Sequence, residues 1–477
     1  MKIPKTIVFL RADGSSKIGL GHVHRLIALS QILRDNFECR FIIHSPLPGI
    51  KELILKSCES IIELDSNLQS DELSRFVTGQ EIVVLDGYNF DTPYQQNIKQ
   101  MGSPLVCIDD LHQYHFVSDV IINPSGGVKD DLYSKERTTE LFSGPAFCLL
   151  KEPFLKAAKS RNKRTTNSLF ICMGGADPDN YTSSALKHCL DFPFTSYEVV
   201  IGEAYAHKNK LYNEVKDLDG RIHLLSNLEP MALAGIMKEC AVAVCSASGI
   251  AYEYLSVSGE LYIKQTATNQ IDLYHYLLDD KLAFRFEDFR LSEDEVTQSV
   301  QKQREVFDGN SDKRILKIFN RLDFDLNASL RPVRASDLMT TFHWANDAEL
   351  RAQSFNTDPI PLEKHSAWFN SKMNDPSTIL YIFEYKNIPI GQIRFDVGSE
   401  AAISYSVDRT FRGRSWGQCM LQNAIIAFQN EWKGPIKIVG YTKQGNVSSN
   451  AIFKKLGFVQ FLAEEYPNSY RYELIKL

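Results

Sequence analysis

The sequence has no long apolar run. The first one, from Ile7 to Leu10, ends at Arg11 and is too short for the hydrophobic region of a signal peptide. No later stretch reaches the roughly 20 apolar residues that a membrane-spanning helix needs. We therefore expect a cytoplasmic protein that does not act on or in a membrane.

Cysteine is also sparse, with nine in 477 residues and no CxxC pair. Segments such as LVCID and LFICMGG hold cysteine among apolar residues, which predicts reduced core thiols and no metal site. A charge excess is missing too, because 53 Lys and Arg face 59 Asp and Glu, for a net charge of −6. This balance argues against nucleic acid as a partner and favours a small anionic ligand.

The length predicts about three domains. Over residues 1–160, short apolar runs such as TIVFLRAD and EIVVLDGY alternate with helical patterns such as HRLIALSQILRD. After the polar connector KSRNKRTTNS the same alternation restarts and fills residues 161–325. Apolar runs without strict alternation indicate strands buried on both faces, so we predict an α/β fold with two doubly wound, Rossmann-like lobes.

The pattern changes near RLDFDLNASLRPV. The runs ILYIFEY and IGQIRFD follow at hairpin-like spacing, and helical patterns follow RGRSWGQCM and fill NVSSNAIFKKLGF. We predict a third, α+β domain over residues 329–477.

The stretch GLGHVHR opens the first helical pattern directly after an apolar run. In α/β sheets ligands bind at that edge, so we predict that Gly19, Gly21 and Arg25 contact the ligand. The positive end of the helix favours a neutral imidazole at His22, which can then accept a proton near pH 7. The alternative is that His22, like the less favoured His24, is only structural.

Three loops of the second lobe carry similar signals, namely FICMGGADPDN, AVAVCSASGIAYEY and ATNQ. The first two place glycines and serines before helices, where backbone amides bind phosphate oxygens. Tight turns and helix capping are the structural alternative. The predicted ligand-binding residues of these loops are Gly174, Gly175, Ser248, Gly249, Glu253, Asn269 and Gln270.

Taken in order, RADGSSKIGLGHVHRLIALS, LDGYNF, MGGADPDN and ATNQ resemble the UDP-sugar hydrolases of pseudaminic acid biosynthesis, relatives of the GT-B glycosyltransferases. The resemblance covers roughly residues 1–320. It implies metal-free hydrolysis of UDP-2,4-diacetamido-2,4,6-trideoxy-beta-L-altropyranose to UDP and the free sugar. It also implies catalytic roles for His22, Tyr88 and Asn269. The loop SASGIAYEY departs from the glycine- and threonine-rich loop usual in that family.

Such a hydrolysis needs a water molecule aimed at the anomeric carbon and stabilisation of the departing diphosphate. We expect His22 to activate the water, while the helix starts after Gly174 and Gly249 donate amides to the diphosphate. Glu253 is expected to hold ribose hydroxyls. The implied active-site tyrosine and asparagine would orient the water or the acyl groups of the sugar.

The segment VDRTFRGRSWGQCML places a basic, glycine-containing turn before a helix, which is an anion-binding arrangement. It resembles the acyl-CoA-binding signature of the GNAT acetyltransferases, R/Q-x-x-G-x-G/A, with Ser415 in the place of the middle glycine. A serine at that place keeps the backbone amide but is strained if the backbone needs a positive φ. NVSSNAIFKKLGF matches the second signature of the same superfamily.

This second resemblance spans about residues 329–477 and is to the sugar-nucleotide or ribosomal-protein type of acetyltransferase. It implies acetyl-CoA as a co-substrate. The residues implied to bind it are Val407, Arg412, Gly413, Arg414, Ser415, Trp416, Gly417, Asn446 and Ser449.

An acetyltransferase must remove a proton from the amine and return one to the CoA thiolate. Phe453 stands where the superfamily often carries the tyrosine for the second transfer. Tyr441, Tyr405 or water remain open as the acid. His365 is a candidate base, with packing beside Trp368 as the alternative.

In the implied pathway, acetylation of a 4-amino group precedes removal of UDP, so adjacent steps would share one chain and the intermediate would stay locally concentrated. One alternative is a GT-B glycosyltransferase, in which an acceptor hydroxyl replaces water. The other is a non-catalytic protein that binds a nucleotide sugar and acetyl-CoA, suggested by Ser415, Phe453 and the SASG loop. The oligomeric state does not follow from the sequence.

Overall fold

The computed structural model describes residues 3–14, 19–46, 48–65, 73–160, 167–202, 204–216, 218, 220–290, 293–432 and 436–475. The chain divides into two compact units, Met1–Leu316 and Lys317–Leu477. Residues 161–166 of the expected connector lie outside the described residues. Among the residues with described positions, no helix has both the length and the apolar character needed to cross a bilayer.

The first sheet of the first unit contains seven strands in the order β3-β2-β1-β4-β5-β7-β9, and all neighbours pair in parallel. The order reverses between β1 and β4, which places a crevice at their carboxyl ends. The strands are β1 Thr6–Arg11, β2 Phe37–His44, β3 Ser60–Leu64, β4 Ile82–Asp86, β5 Leu105–Ile108, β7 Val120–Asn123 and β9 Glu140–Ser143. Two short strands, β6 His115–Phe116 and β8 Ser134–Lys135, form a separate pair.

The second sheet of this unit has six parallel strands in the order β12-β11-β10-β13-β14-β15. They are β10 Ser168–Cys172, β11 Ser196–Ile201, β12 Ile222–Ser226, β13 Val242–Ser246, β14 Glu260–Lys264 and β15 Phe284–Arg285. Neighbouring residues of one strand enter different cores, since Leu169 and Ile171 belong to one hydrophobic cluster and Phe170 to another. Both faces are therefore buried, as the unbroken apolar runs predict.

The helices described before the end of this unit are α1 Gly21–Leu33, α2 Pro48–Leu55, α3 Thr92–Gln100, α4 Glu152–Lys159, α5 Tyr181–Cys189, α6 Lys208–Val215, α7 Pro230–Glu239, α8 Gly249–Val257, α9 Ile271–Asp279, α10 Glu293–Val306 and α11 Ser311–Asn327. The division between the units falls within α11. α3 shows why a helix begins where it does, since Asp91 accepts a hydrogen bond from the Tyr94 amide and a proline occupies the first turn. All nine cysteines are free thiols and eight are buried, in keeping with core positions.

The second unit is an α+β domain with one seven-stranded sheet in the order β16-β17-β18-β19-β20-β22-β21. The strands are β16 Ala328–Pro332, β17 Thr378–Tyr385, β18 Ile388–Val397, β19 Ala401–Val407, β20 Lys437–Lys443, β21 Val459–Leu462 and β22 Ser469–Ile475. The helices are α12 Leu338–Ala345, α13 Ala348–Gln353, α14 Leu362–Asn374, α15 Trp416–Glu431 and α16 Val447–Lys455. The expected hairpin is β17–β18, whose two-residue turn, Lys386 and Asn387, has positive φ at both positions.

The strands β19 and β20 pair in parallel over only three residues each. Ala401–Ile403 of β19 faces Ile438–Gly440 of β20, and the remaining pairs of this sheet are antiparallel. β19 continues to Val407 and β20 to Lys443 without further pairing to each other. Their carboxyl halves therefore part and leave an opening at one edge of the sheet.

Ser415 precedes α15 with a left-handed backbone, at φ 63° and ψ 7°. Its side chain makes no capping hydrogen bond to compensate. A non-glycine residue in this conformation costs about 1–2 kcal/mol. The strain anticipated from the serine in the glycine position is thus present in the structure.

We predict that Ser415→Gly raises the free energy of unfolding of the second unit by roughly 0.5–1 kcal/mol, because the relief of strain exceeds the entropy cost of glycine. All four tryptophans, at 344, 368, 416 and 432, lie in this unit. Tryptophan fluorescence during urea denaturation of the full chain therefore reports on it. Ser366→Gly, within helix α14, is the matched control and should lower stability by about the same amount. Equal losses for both variants would contradict the assignment of strain.

Candidate functional site

His22 lies in the first turn of α1, beside the last residue of β4. Its Nδ1 is 2.7 Å from Oδ1 of Asp86, a carboxylate with no exposed surface. The pair forms because β1 and β4 are neighbouring parallel strands whose carboxyl ends meet at one edge. The imidazole keeps 9% of its surface exposed, and no described residue hydrogen-bonds to Nε2. A carboxylate on Nδ1 fixes the ring and leaves Nε2 to exchange a proton.

Arg25 joins this pair to a second carboxylate. Its Nε donates to Asp86 Oδ2 at 2.7 Å and its Nη1 to Asp110 Oδ2 at 3.0 Å. Burial alone would raise the pKa of Asp86, but the charges of Arg25 and His22 outweigh it and hold that pKa below its ordinary value. Arg25, predicted to contact the ligand, is occupied instead by two protein carboxylates and keeps Asp86 ionised.

Tyr88 and Asn269 complete the cluster. The Tyr88 ring lies edge-on to His22, with ring centroids 4.7 Å apart. Asn269 Nδ2 donates to the Tyr88 hydroxyl at 2.8 Å, from a 3-10 turn that follows β14 in the other sheet of the unit. Burial and the charge of Asp110 raise the pKa of Tyr88, so its hydroxyl is neutral. The structure thus brings together the three residues predicted as catalytic.

The loop with Gly174 and Gly175 does not lead into a free helix end. Gly174 has a φ of +93°, which favours glycine, and a Cβ on Gly202 would lie 2.2 Å from the Gly175 carbonyl oxygen, so backbone geometry alone accounts for glycine at 174 and 202. Helix α5 starts only at Tyr181, and the Asp177 carboxylate accepts from the amides of the first two helical residues. The expected donation of amides from this helix to a diphosphate is therefore not available, because its own aspartate caps them.

The start of α8 is different. Ser248 caps no helix amide and bonds to Ser246 Oγ at 2.9 Å. The Ala251 amide donates to the Ser248 carbonyl oxygen at 2.9 Å, whereas those of Gly249 and Ile250 have no hydrogen-bond partner among the described residues and suit an anion. One turn further, burial raises the pKa of Glu253 to about 7, against the lowering effect of Lys151.

The Gln270 side chain forms hydrogen bonds within its own loop. Its side-chain oxygen accepts from the Thr266 amide at 2.8 Å, and its Nε2 donates to Thr266 Oγ1 at 3.0 Å. The amide group expected to touch the ligand is therefore used to hold the loop that carries Asn269.

The residues missed from the sequence are Asp86 and the pair Asp109 and Asp110. They end the apolar runs IVVLD and LVCIDD, so the signal was an acidic residue at a strand end next to the GLGHVHR loop. Asp109 Oδ2 accepts from the Tyr133 hydroxyl at 2.9 Å. Asp110 keeps one buried carboxylate oxygen without a partner among the described residues.

In the second unit, α15 begins beside the opening between β19 and β20. Gly413 and Ser415 turn the backbone with positive φ, and no side chain caps the first amides of the helix. A Cβ on Gly417 would lie 3.6 Å from Val407 Cγ2 and 3.8 Å from Tyr405 Cε2. A Cβ would therefore fit at 417 in ordinary contact, whereas a larger side chain would press against β19.

The arginines of this turn are both engaged by the protein. Arg412 donates to Asp347 at 2.7 Å, to Glu349 at 2.7 Å and to the carbonyl oxygen of Val407. Arg414 lies over the Trp416 ring, 5.0 Å from its centroid. Arg412 was expected to contact acetyl-CoA, but its guanidinium ties the turn to two acidic side chains.

Helix α16 contributes the other two predicted contacts. Asn446 caps it by accepting from the Ser449 amide at 3.1 Å. Ser449 Oγ in turn accepts from the Tyr405 hydroxyl at 2.9 Å. This bond connects α16 to the half of β19 that pairs with β18 but not with β20.

The acetyltransferase (GNAT) domain family matches residues 328–459. Residues 328–459 form a GNAT acetyltransferase domain. The domain implies acetyl-CoA binding. A solved structure similar to this part is spermidine N-acetyltransferase from Vibrio cholerae in complex with CoA and spermine, at 15% identity, TM-score 0.29, and coverage of 31% of this chain and 95% of that one.

The first unit has a different relative. UDP-2,4-diacetamido-2,4,6-trideoxy-beta-L-altropyranose hydrolase of Campylobacter jejuni is 26% identical over 253 residues, which cover 52% of this chain and 87% of that protein. An uncharacterized protein of Methanocaldococcus jannaschii is 24% identical over 94% of this chain and 95% of its own length. The chain thus joins a part homologous to the Campylobacter hydrolase to a GNAT domain.

Within the GNAT domain, Phe453 and the candidate base His365 are both packing residues. Phe453 is 2% exposed and stacks on Tyr472 with ring centroids 4.9 Å apart. His365 is also 2% exposed, its Nε2 lies 3.1 Å from Thr341 Oγ1, and its ring contacts Trp368. Burial lowers the pKa of His365, which fits the packing alternative.

The raised pKa of Glu253 predicts a pH-dependent stability. Because the folded pKa of about 7 exceeds the ordinary value of 4.5, the carboxyl destabilises the fold increasingly as pH rises between these values. Glu253→Gln should therefore change stability little at pH 5 and raise the free energy of unfolding by about 1–3 kcal/mol at pH 8.

Urea denaturation of the full chain, followed by far-UV circular dichroism, measures this effect, with tryptophan fluorescence separating the transition of the second unit. Glu59→Gln is the control, because Glu59 is exposed. The two variants should behave alike at pH 5 and differ at pH 8. A stabilisation by Glu253→Gln that is equal at both pH values would remove ionisation as its cause.

Proposed function

We propose that the first unit hydrolyses a UDP-linked diacetamido-trideoxy sugar to UDP and the free sugar, in two lobes of GT-B type, in the cytoplasm and within pseudaminic acid biosynthesis. The observation that carries this proposal is the His22–Asp86 pair, which holds Nε2 free beside Tyr88 and Asn269. The relation to the Campylobacter hydrolase supports the same substrate class.

In the proposed reaction, Nε2 of His22 takes a proton from water while the water oxygen bonds to the anomeric carbon. The bond from that carbon to the diphosphate oxygen breaks, and UDP leaves with the electron pair. The ionised Asp86 stabilises the imidazolium that forms, and the open start of α8 stabilises the diphosphate charge. Charge stabilisation by backbone amides is the reason why we propose a metal-independent reaction.

The neutral Tyr88 hydroxyl and the Asn269 amide are hydrogen-bond groups suited to an acetamido substituent or to the attacking water. They come from the two different sheets of the unit, so a ligand that contacts both groups also contacts both sheets. We propose that this arrangement aligns the anomeric carbon with His22.

We expect His22→Asn to lower UDP release by about 10²–10⁴-fold, because the general base is removed, and to leave UDP affinity nearly unchanged. Turnover is measured by NMR, which detects UDP and the reducing sugar together, and binding by calorimetry. His223→Asn, an exposed histidine of the same unit, is the control that should keep full turnover. Preserved turnover in His22→Asn would exclude His22 as the base, and UDP release that needs an added acceptor would indicate a glycosyltransferase.

We also propose that the GNAT domain transfers an acetyl group from acetyl-CoA to the amino group of a sugar nucleotide. The open start of α15 suits the pyrophosphate of CoA, and the opening between β19 and β20 suits its extended arm. The product would then be the substrate of the first unit, so both steps would act on one class of nucleotide sugar.

Incubation of the full chain with acetyl-CoA and 4-amino UDP-sugars should release free thiol in proportion to the acetylated sugar. Thiol is measured by a colorimetric reagent and the product by mass spectrometry. Gly417→Val should raise the KM for acetyl-CoA at least tenfold, because its side chain would enter the contact with Val407 and Tyr405. Absence of thiol release with every sugar nucleotide offered would contradict the proposed acceptor.

A further inference from the structure

The GNAT domain has no acid at the position of Phe453. Its ring is buried among Tyr472, Phe458 and Gly440, where a Cβ on the glycine would come within 2.5 Å of the phenylalanine. The CoA thiolate still needs a proton when the acetyl group leaves it. Another group near the opening between β19 and β20 has to supply that proton.

Tyr405 lies at this opening. It is on the half of β19 that pairs with β18 but no longer with β20, two residues beyond Ile403, the last residue that pairs with β20. Its ring contacts the position of Gly417 at the open start of α15. The hydroxyl is thus close to the anion site and to the parted strands, which are the two features that suit acetyl-CoA.

The hydroxyl of Tyr405 has a defined direction. It donates its proton to Ser449 Oγ at 2.9 Å. A serine oxygen that accepts a hydrogen bond still carries its own hydroxyl proton. Ser449 can therefore donate that proton to a second acceptor. The bond from the Ser449 amide to Asn446 fixes this turn of α16.

Tyr441 is the competing tyrosine, and its hydroxyl is committed elsewhere. It accepts from Arg471, whose guanidinium is also paired with Glu400 and Glu473. This network joins β20 to β22 and fixes the position of the Tyr441 hydroxyl. Tyr405 has no comparable set of charged partners in the described structure.

We propose that Tyr405, acting through Ser449, supplies the proton to the departing CoA thiolate. The amine nitrogen bonds to the acetyl carbon, the carbon–sulfur bond breaks, and its electron pair goes to sulfur, which takes the proton of Ser449. Ser449 takes the proton of Tyr405, and Tyr405 is reprotonated by water, while the proton of the amine leaves to solvent. The relay rests on the acetyltransferase activity proposed above but not on the identity of the acceptor.

Tyr405→Phe and Ser449→Ala test the relay in the full chain. Each should lower the kcat of thiol release about 10²-fold, because proton transfer is affected. Tyr405→Phe should leave the KM for acetyl-CoA within about twofold, since its hydroxyl is not among the predicted acetyl-CoA contacts. The double variant should lose no more than either single one, because both act in one path. Tyr470→Phe, a tyrosine of the neighbouring strand β22, is the control for loss of a hydroxyl.

The pH profile separates a proton donor from a packing residue. The wild-type kcat should fall at high pH as Tyr405 loses its proton, and this basic limb should disappear in Tyr405→Phe. Unchanged kcat, an unchanged basic limb or additive losses in the double variant would each overturn the relay.

Slow hydrolysis of acetyl-CoA in the absence of an amine acceptor also releases the CoA thiolate. It therefore tests the relay separately from the identity of the acceptor. A relay-dependent hydrolysis without transfer to any 4-amino sugar would refute the proposed acceptor and support the relay. Transfer to a 4-amino sugar that neither substitution slows would support the proposed acceptor and refute the relay. A wild-type chain that releases no thiol in either reaction would contradict both.

Discussion

The cluster in the first unit depends on one buried carboxylate, that of Asp86. A carboxylate without exposed surface is unfavourable unless charges and hydrogen bonds compensate it, and Arg25 and His22 do so from the same helix turn. Their spacing of three residues places both on one face of α1. The strand order then brings that face to the end of β4, so the position of the imidazole follows from the topology of the sheet.

Three helices, α5, α8 and α15, each follow a loop that was predicted to bind phosphate, but they differ in whether a side chain caps their first amides. The start of α5 is closed by its own aspartate, Asp177, whereas α8 and α15 begin without a side-chain cap. Uncapped amides exposed to water cost little, yet they hold an anion well once water is displaced. A glycine-rich loop before a helix is therefore not enough to identify a phosphate site, because the capping residue decides whether the amides are free.

Much of the architecture could be predicted from periodicity, since strands buried on both faces and a hairpin with a two-residue turn leave clear patterns. The grouping of His22, Tyr88 and Asn269 came from a family resemblance, and spacing alone would not have brought Asn269 to Tyr88 across 181 residues. The commitments of Arg25 and Arg412 could not be predicted, because they depend on acidic groups distant in sequence. That of Gln270 is to Thr266 and depends on how its own loop folds.

The two proposed reactions share one chemical difficulty, which is to move a proton beside a charged leaving group. In the first unit His22 lies against the ionised Asp86 carboxylate. A proton that arrives at Nε2 would therefore create a positive imidazolium next to a negative charge that stabilises it. In the second unit the proposed donors, Tyr405 and Ser449, are neutral hydroxyls joined by a hydrogen bond. A base that must gain a proton benefits from a buried anion, whereas a donor that must lose one is better held among neutral groups, since a nearby anion would strengthen its hold on the proton.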